Sequence, residues 1–273
     1  MNKFEGMLFC TDLDGTLYAD DKTVSKENLD AIEYFKSQGG RFTFITGRVP
    51  LTSKKICDQL RPNAPFGCIN GAGIFDPQKN EYLMTISLNS QVTDLLREVD
   101  QRLPDVGFQL NTEQTIYFCK DNEAMQIFRR NTGLPNVVRA YEDVTEPILK
   151  VVFGHTEDAR IRELQALLTS HPKAHLFDFI RSEFRLFEIL PKGASKGTVL
   201  CRLAEALGIR REKTIAVGDY HNDISMIRQA GLGIAVANAV DEAKAVADHV
   251  TVSNNESAIA TIVDLLDRGE LSI

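Results

Sequence analysis

Residues 7–16 read Met7-Leu8-Phe9-Cys10-Thr11-Asp12-Leu13-Asp14-Gly15-Thr16. Met7–Thr11 is a short apolar run with the character of a buried strand, and two carboxylates follow it at i and i+2 ahead of a glycine. Acids at the carboxyl end of a strand lie where open α/β sheets bind their ligands. The flanking sequence says which kind of sheet this is. Ser25–Gln38 carries Leu29, Ile32 and Phe35 at helical spacing and stops at Gly39-Gly40. Arg41–Thr46 reads as a second strand, Leu51–Leu60 as a helix and Phe66–Ile69 as a third strand. Strand and helix in alternation predict a parallel sheet covered by helices.

The same alternation returns near the C-terminus. Lys196–Leu207 is helical, with Leu200, Leu203, Ala204 and Leu207 on one side. Thr214–Val217 and Gly233–Val236 read as strands, Asp223–Gln229 and Asp241–Ala247 as helices. Ile259, Ile262, Val263 and Leu266 make a closing amphipathic helix. The middle differs. Helical stripes at Val92–Leu103 and Ile161–Leu168 are mixed with strands at Phe108–Cys119, Pro147–His155, Ala174–Ile180 and Phe184–Leu190. The expectation is an α/β protein: a Rossmann-like parallel sheet core, residues 1–85 and 189–273, interrupted by an inserted α+β cap domain, residues 86–188.

Composition narrows the class. The chain has 273 residues, 43% of them hydrophobic and 25% charged, which excludes a disordered or coiled-coil protein. Its 31 Lys and Arg against 38 Asp and Glu give a net charge of −7, with no basic block, which argues against nucleic-acid or membrane partners. The five cysteines, Cys10, Cys57, Cys68, Cys119 and Cys201, are scattered without a C-x-x-C and read as reduced thiols. No apolar run approaches the roughly 18–20 residues of a membrane span, and the first residues are too briefly apolar for a signal peptide. A cytoplasmic location is expected.

Four segments carry chemistry. Asp12 can act as a nucleophile that forms an acyl-phosphate, while Asp14 protonates the leaving oxygen and then activates water. A divalent cation has to offset repulsion between carboxylate and phosphate. Gly218-Asp219-Tyr220-His221-Asn222-Asp223 follows a strand and offers further acids. Hard oxygen donors without a Cys/His cluster favour Mg²⁺ over Zn²⁺, so His221 is read as a loop residue. Thr46-Gly47-Arg48 follows the second strand, where a hydroxyl and backbone amides can bind phosphate oxygens, although the tripeptide by itself reads as a plain turn. Lys196 opens a helix, against the helix dipole, which suits charge neutralisation at a phosphate, although by itself the residue reads as a solvated lysine.

Taken together, these segments resemble the haloacid dehalogenase-like hydrolases. The order Asp-x-Asp-Gly-Thr, Thr, Lys, Gly-Asp-x-x-x-Asp matches that superfamily. Leu17–Ile32, Ile69–Asp76, Gly193–Gly197, Gly218–Met226 and Ala237–Thr251 resemble its Cof-type phosphatases, whose type IIB cap lies between the second and third motifs. Ala258 departs from a glycine common in relatives and touches no proposed chemistry. The resemblance implies Asp12 as nucleophile and Asp14 as general acid/base. It implies Mg²⁺ on Asp12, the Asp14 carbonyl and Asp219, with Asp223 acting through water or from behind. It implies phosphate held by the amide of Leu13, by Thr46, Gly47, Lys196 and Asn222. Arg48, Asn70, Arg181 and Glu183 are further candidates for the substrate, and His155 and Arg185 are polar residues of the insert. The expected activity is Mg²⁺-dependent hydrolysis of a small phosphorylated metabolite (a sugar phosphate, nucleotide or phosphorylated cofactor), with the cap choosing the leaving group and closing over the core. A sugar phosphomutase and a non-catalytic binding module are the alternatives.

Overall fold

In a computed structural model describing residues 2–273, Leu8, Phe9, Cys10 and Thr11 are fully buried, as a strand covered on both faces requires. They form β1 (Leu8–Thr11), followed by α1 (Lys26–Ser37), β2 (Arg41–Phe44), α2 (Pro50–Leu60), β3 (Phe66–Cys68), β4 (Gly73–Asp76) and β5 (Glu81–Thr85). Next come α3 (Val92–Arg102), β6 (Gly107–Asn111), β7 (Ile116–Lys120), α4 (Glu123–Thr132), β8 (Val137–Val138), β9 (Lys150–Gly154), α5 (Asp158–Ser170), β10 (Phe177–Glu183) and β11 (Leu186–Pro191). The chain ends with α6 (Lys196–Ala206), β12 (Thr214–Gly218), α7 (Ile224–Gln229), β13 (Leu232–Ala235), α8 (Asp241–Lys244), β14 (His249–Val250) and α9 (Ala258–Asp267).

Two compact units result, Met1–Leu83 with Ser195–Ile273, and Met84–Ala194. In the first, a five-stranded sheet has the order β14-β13-β12-β1-β2 with every pairing within it parallel, and β3 pairs antiparallel with β4 in a smaller sheet. Leu8 pairs with Thr214 on one side and Arg41 on the other, so β1 is central and its carboxyl end lies beside that of β12. Strand order reverses around β1, the topological position where such sheets bind ligands. Ser25 caps α1 by accepting the Asn28 N–H at 3.2 Å, and Ser195 caps α6 by accepting the Thr198 N–H at 3.1 Å.

The second unit is a six-stranded sheet, β10-β11-β9-β6-β7-β8, antiparallel except where β8 joins β7. Leu95, Leu96 and Val99 of α3 and Ile161, Leu164 and Leu168 of α5 share one core with Phe108, Val151, Phe153 and Phe187. Here the sequence reading needs correction. Phe108–Cys119 is two strands, because Thr112 turns the chain: its N–H donates to the Thr115 carbonyl at 2.9 Å and its hydroxyl to the same oxygen at 3.0 Å. Ala174–Leu176 is a 3-10 turn, and the strand begins at Phe177. β11 pairs with β10 as far as Pro191, which keeps residues 189–194 with the second unit instead of the core. The β4–β5 strands and α4 were not read from the sequence at all.

Candidate active site

β1 hands its direction straight to Asp12, whose N–H donates to the Val217 carbonyl of β12 at 2.9 Å. Asp12 is therefore fixed between two parallel strands, with its side chain buried. Its Oδ1 accepts from Lys196 Nζ at 2.7 Å. The same ammonium donates to Asp223 Oδ1 at 2.6 Å. Lys196 is 1% exposed, so its charge is neutralised by these two carboxylates and not by water. Burial alone would lower its pKa, but the charges of Asp12 and Asp223 outweigh burial and raise it. The small penalty of a lysine at a helix start is thereby offset.

Asp223 is fully buried and fully engaged. Its Oδ2 accepts the backbone N–H groups of Asp219 at 3.1 Å and Tyr220 at 3.0 Å. It shapes the loop after β12 and aims Asp219. Asp219 Oδ1 accepts the Thr16 hydroxyl at 3.0 Å. Gly15 makes this approach possible: a Cβ there would stand 2.5 Å from Asp219 Oδ2, and its φ of +79° is one that side chains disfavour.

Asp12, Asp219 and Asp223 each offer a carboxylate oxygen, and the three lie within 4.8 Å of one another. One ammonium does not balance three acids, of which Asp12 and Asp223 are buried and Asp219 is half-buried. Burial, and then the charge of Asp223, push the carboxyl of Asp12 well up and that of Asp219 to about 7. An all-oxygen set with uncompensated negative charge fits a hard divalent cation. Since Asp223 already accepts from three donors, Asp12 and Asp219 are the natural side-chain ligands.

Asp14 lies apart from this cluster. Arg48 Nε donates to Asp14 Oδ2 at 2.8 Å and Nη2 to Oδ1 at 2.7 Å, while Lys22 Nζ adds a contact to Oδ1 at 3.2 Å. Burial would raise the Asp14 carboxyl, but Arg48 and then Lys22 hold it below the ordinary carboxylate range. Arg48, read from sequence as a substrate contact, is thus occupied by an acid of its own chain.

The proposed phosphate side also assembles. Thr46 is buried, and its hydroxyl accepts the Arg48 N–H at 3.2 Å, which leaves its proton to donate. Asn222 Nδ2 donates to Asn70 Oδ1 at 3.1 Å, while the buried Oδ1 of Asn222 has no hydrogen-bond partner among the described residues. A Cβ on Gly47 would come within 2.9 Å of Asn70 Oδ1, so glycine lets the loops after β2 and β3 touch. Leu13 is buried, and its carbonyl accepts the Tyr18 N–H at 2.8 Å. His221 is exposed in its loop.

The remaining candidates belong to the second unit. Arg181 pairs with Asp158 and donates to the Phe184 carbonyl at 2.7 Å, which closes the β10–β11 hairpin. Glu183 is exposed at that turn. His155 Nδ1 accepts the Glu157 N–H at 3.0 Å. Sequence reading assigned no role to Thr16, Lys22 or Asn238, whose Nδ2 donates to the Gly15 carbonyl at 2.8 Å. Thr16 lies inside the first motif, and Lys22 and Asn238 lie inside stretches that carry the family resemblance, so a signal existed for all three.

The parallel sheet sets acids at the carboxyl ends of β1 and β12 with a lysine between them, and comparison with known proteins gives the class. The sequence profile of the haloacid dehalogenase-like hydrolases matches residues 9–263. The chain belongs to that family and is a phosphoester hydrolase of its Cof-type branch. It is 29% identical over 263 residues to 5-amino-6-(5-phospho-D-ribitylamino)uracil phosphatase YitU of Bacillus subtilis (strain 168), covering 93% of this chain and 94% of that protein. A haloacid dehalogenase-like hydrolase from Bacteroides thetaiotaomicron superposes with a TM-score of 0.82 at 26% identity, covering 94% of this chain and 98% of that one. TM0651 from Thermotoga maritima gives 0.82 at 25% identity, covering 98% of both. Among the described residues, no helix is long and apolar enough to cross a membrane.

Proposed function

We propose that the protein is a Mg²⁺-dependent phosphatase of small phosphorylated metabolites and works through an aspartyl-phosphate on Asp12. The observation that carries this reading is the buried Lys196, bonded at once to Asp12 and Asp223, beside three converging carboxylates. Asp12 presents one oxygen as nucleophile, and Lys196 holds the other in place. Asp12, Asp219 and the Asp14 carbonyl would hold Mg²⁺, with Asp223 behind them. When bound, the cation supplies charge neutralisation that lets a phosphate dianion approach the acids. Thr46, Gly47, Asn222 and the amide of Leu13 bind the phosphate oxygens. Asp14 gives a proton to the leaving oxygen and takes one from the attacking water.

The relative YitU is named for a phosphorylated ribitylamino-uracil, which favours a small metabolite over a phosphoprotein or nucleic acid. Phosphate release from p-nitrophenyl phosphate with Mg²⁺ tests the reading: wild type turns over and Asp12→Asn does not. Equal rates would overturn the nucleophile. A metabolite panel then separates hydrolysis, which yields inorganic phosphate, from a mutase, which yields an isomeric sugar phosphate. The cytoplasm fits the five free thiols.

A further inference from the structure

Three independent restraints act on Arg48. Its backbone N–H donates to the Thr46 hydroxyl at 3.2 Å, and its carbonyl accepts the Ile69 N–H at 3.0 Å. Its guanidinium lies over the Tyr18 ring, with Cζ 5.1 Å from the centroid. Its Nε and Nη2 grip both oxygens of Asp14 at 2.8 and 2.7 Å, a fork that sets the plane of the carboxylate as a single lysine could not. The loop below adds to this. Asn254 and Asn255 hold the Asp20 carboxylate at 3.0 Å each, and Lys22 from that loop reaches Asp14 Oδ1 at 3.2 Å. The side chains of Arg48 and Asp14 are 31% and 43% exposed, and ion pairs this accessible add little to folding stability. Orientation of Asp14 is the consequence that remains.

We propose that Arg48 is a positioning residue: it fixes the rotation of Asp14 so that one carboxylate oxygen faces the water that attacks the phosphoenzyme. This rests on the aspartyl-phosphate reading above. In that step the water oxygen bonds to phosphorus and its proton passes to Asp14. The bond from phosphorus to the Asp12 oxygen breaks, and its electron pair returns to Asp12. The fork orients Asp14 for both of its proton transfers, and hydrolysis of the intermediate is the one that a substrate with a good leaving group isolates.

Rapid-mixing kinetics with p-nitrophenyl phosphate and Mg²⁺ test this in Arg48→Gln and Arg48→Lys. Nitrophenolate leaves without help from an acid, so formation of the intermediate is insulated from Asp14. The expected result is a kcat lowered about tenfold to hundredfold with kcat/KM within about threefold of wild type, because KM falls with kcat when only hydrolysis of the intermediate is slowed. A burst approaching one nitrophenolate per site should precede the slow phase, because phosphoenzyme accumulates. Arg48→Lys keeps the charge, loses the fork and carries the test should Arg48→Gln unfold. A raised KM with kcat kept would make Arg48 a phosphate ligand and overturn the proposal. So would a fall in kcat without a burst. If wild type is inert towards phosphoesters, the reading of the site falls and this proposal with it. If wild type is active, Asp12→Asn inactive and no burst appears, the site stands and the role of Arg48 falls.

Discussion

Removing divalent metal should make the stability of this protein fall as pH rises through neutrality, the reverse of ordinary acid denaturation. Asp219 is raised from 3.8 to about 7 by burial and by the charge of Asp223, and Asp12 is displaced in the same direction. The folded protein therefore binds protons that the unfolded chain has released. Stability is fully present below the unfolded value of 3.8 and is lost as pH climbs towards about 7. At about 1.4 kcal/mol per decade of proton affinity, Asp219 alone accounts for about 4 kcal/mol across that window. Asp14 has the opposite sign, but its lowered carboxyl acts below the ordinary carboxylate range and leaves the window clear. The assay is urea denaturation of chelator-treated protein between about pH 5 and pH 8, followed by circular dichroism. Asp219→Asn should flatten the slope. Mg²⁺ at about a hundred times its dissociation constant should restore about 2.7 kcal/mol at the upper end. A metal-free stability that stays level or rises across the window, or a slope unchanged in Asp219→Asn, would refute the reasoning.

Further expectations concern single side chains. Lys196→Met should cost about 3–5 kcal/mol in urea melts at neutral pH, because it leaves Asp12 and Asp223 buried without a counter-charge. Gly15→Ala should lower stability by about 1–3 kcal/mol and weaken Mg²⁺ activation, since its Cβ strikes Asp219 at 2.5 Å and its φ is +79°. Thr16→Val should weaken Mg²⁺ about tenfold in activity titrations by releasing Asp219 Oδ1, with the fold unchanged by circular dichroism. Chelation should abolish turnover and added Mg²⁺ should return it; full activity in excess chelator would contradict the metal's role.

The parallel sheet was legible because β1 and β12 are short, largely apolar runs. Leu8–Thr11 and Thr214–Gly218 are buried along their whole length, and periodicity finds such segments easily. Asp12 and Asp219 were legible because both directly follow such a strand. What failed were elements whose signal is short or mixed. Asn111 to Ile116 turns through side-chain bonds of Thr112, which look like strand composition in the sequence. β8 and β14 are two residues each, too short for any period. The partner of Arg48 was out of reach for another reason. An arginine after a strand suits a substrate phosphate and a neighbouring carboxylate equally, and only the fold brings Asp14 within 2.8 Å across 34 residues.

The pairing of β1 with β12 also sets the order in which the chain can mature. Leu8 meets Thr214, so the central strand of the catalytic sheet emerges about 200 residues before its neighbour on that side. At about 5–20 residues per second, it waits about 10–40 s during synthesis. The unit Met84–Ala194 is continuous, and its strands need no segment made later. It can therefore fold on the ribosome while β1, an apolar strand with one open edge, is still exposed to chaperones and to other nascent chains. Truncation between Ala194 and Thr214 should accordingly leave a folded second unit attached to an aggregation-prone N-terminal fragment.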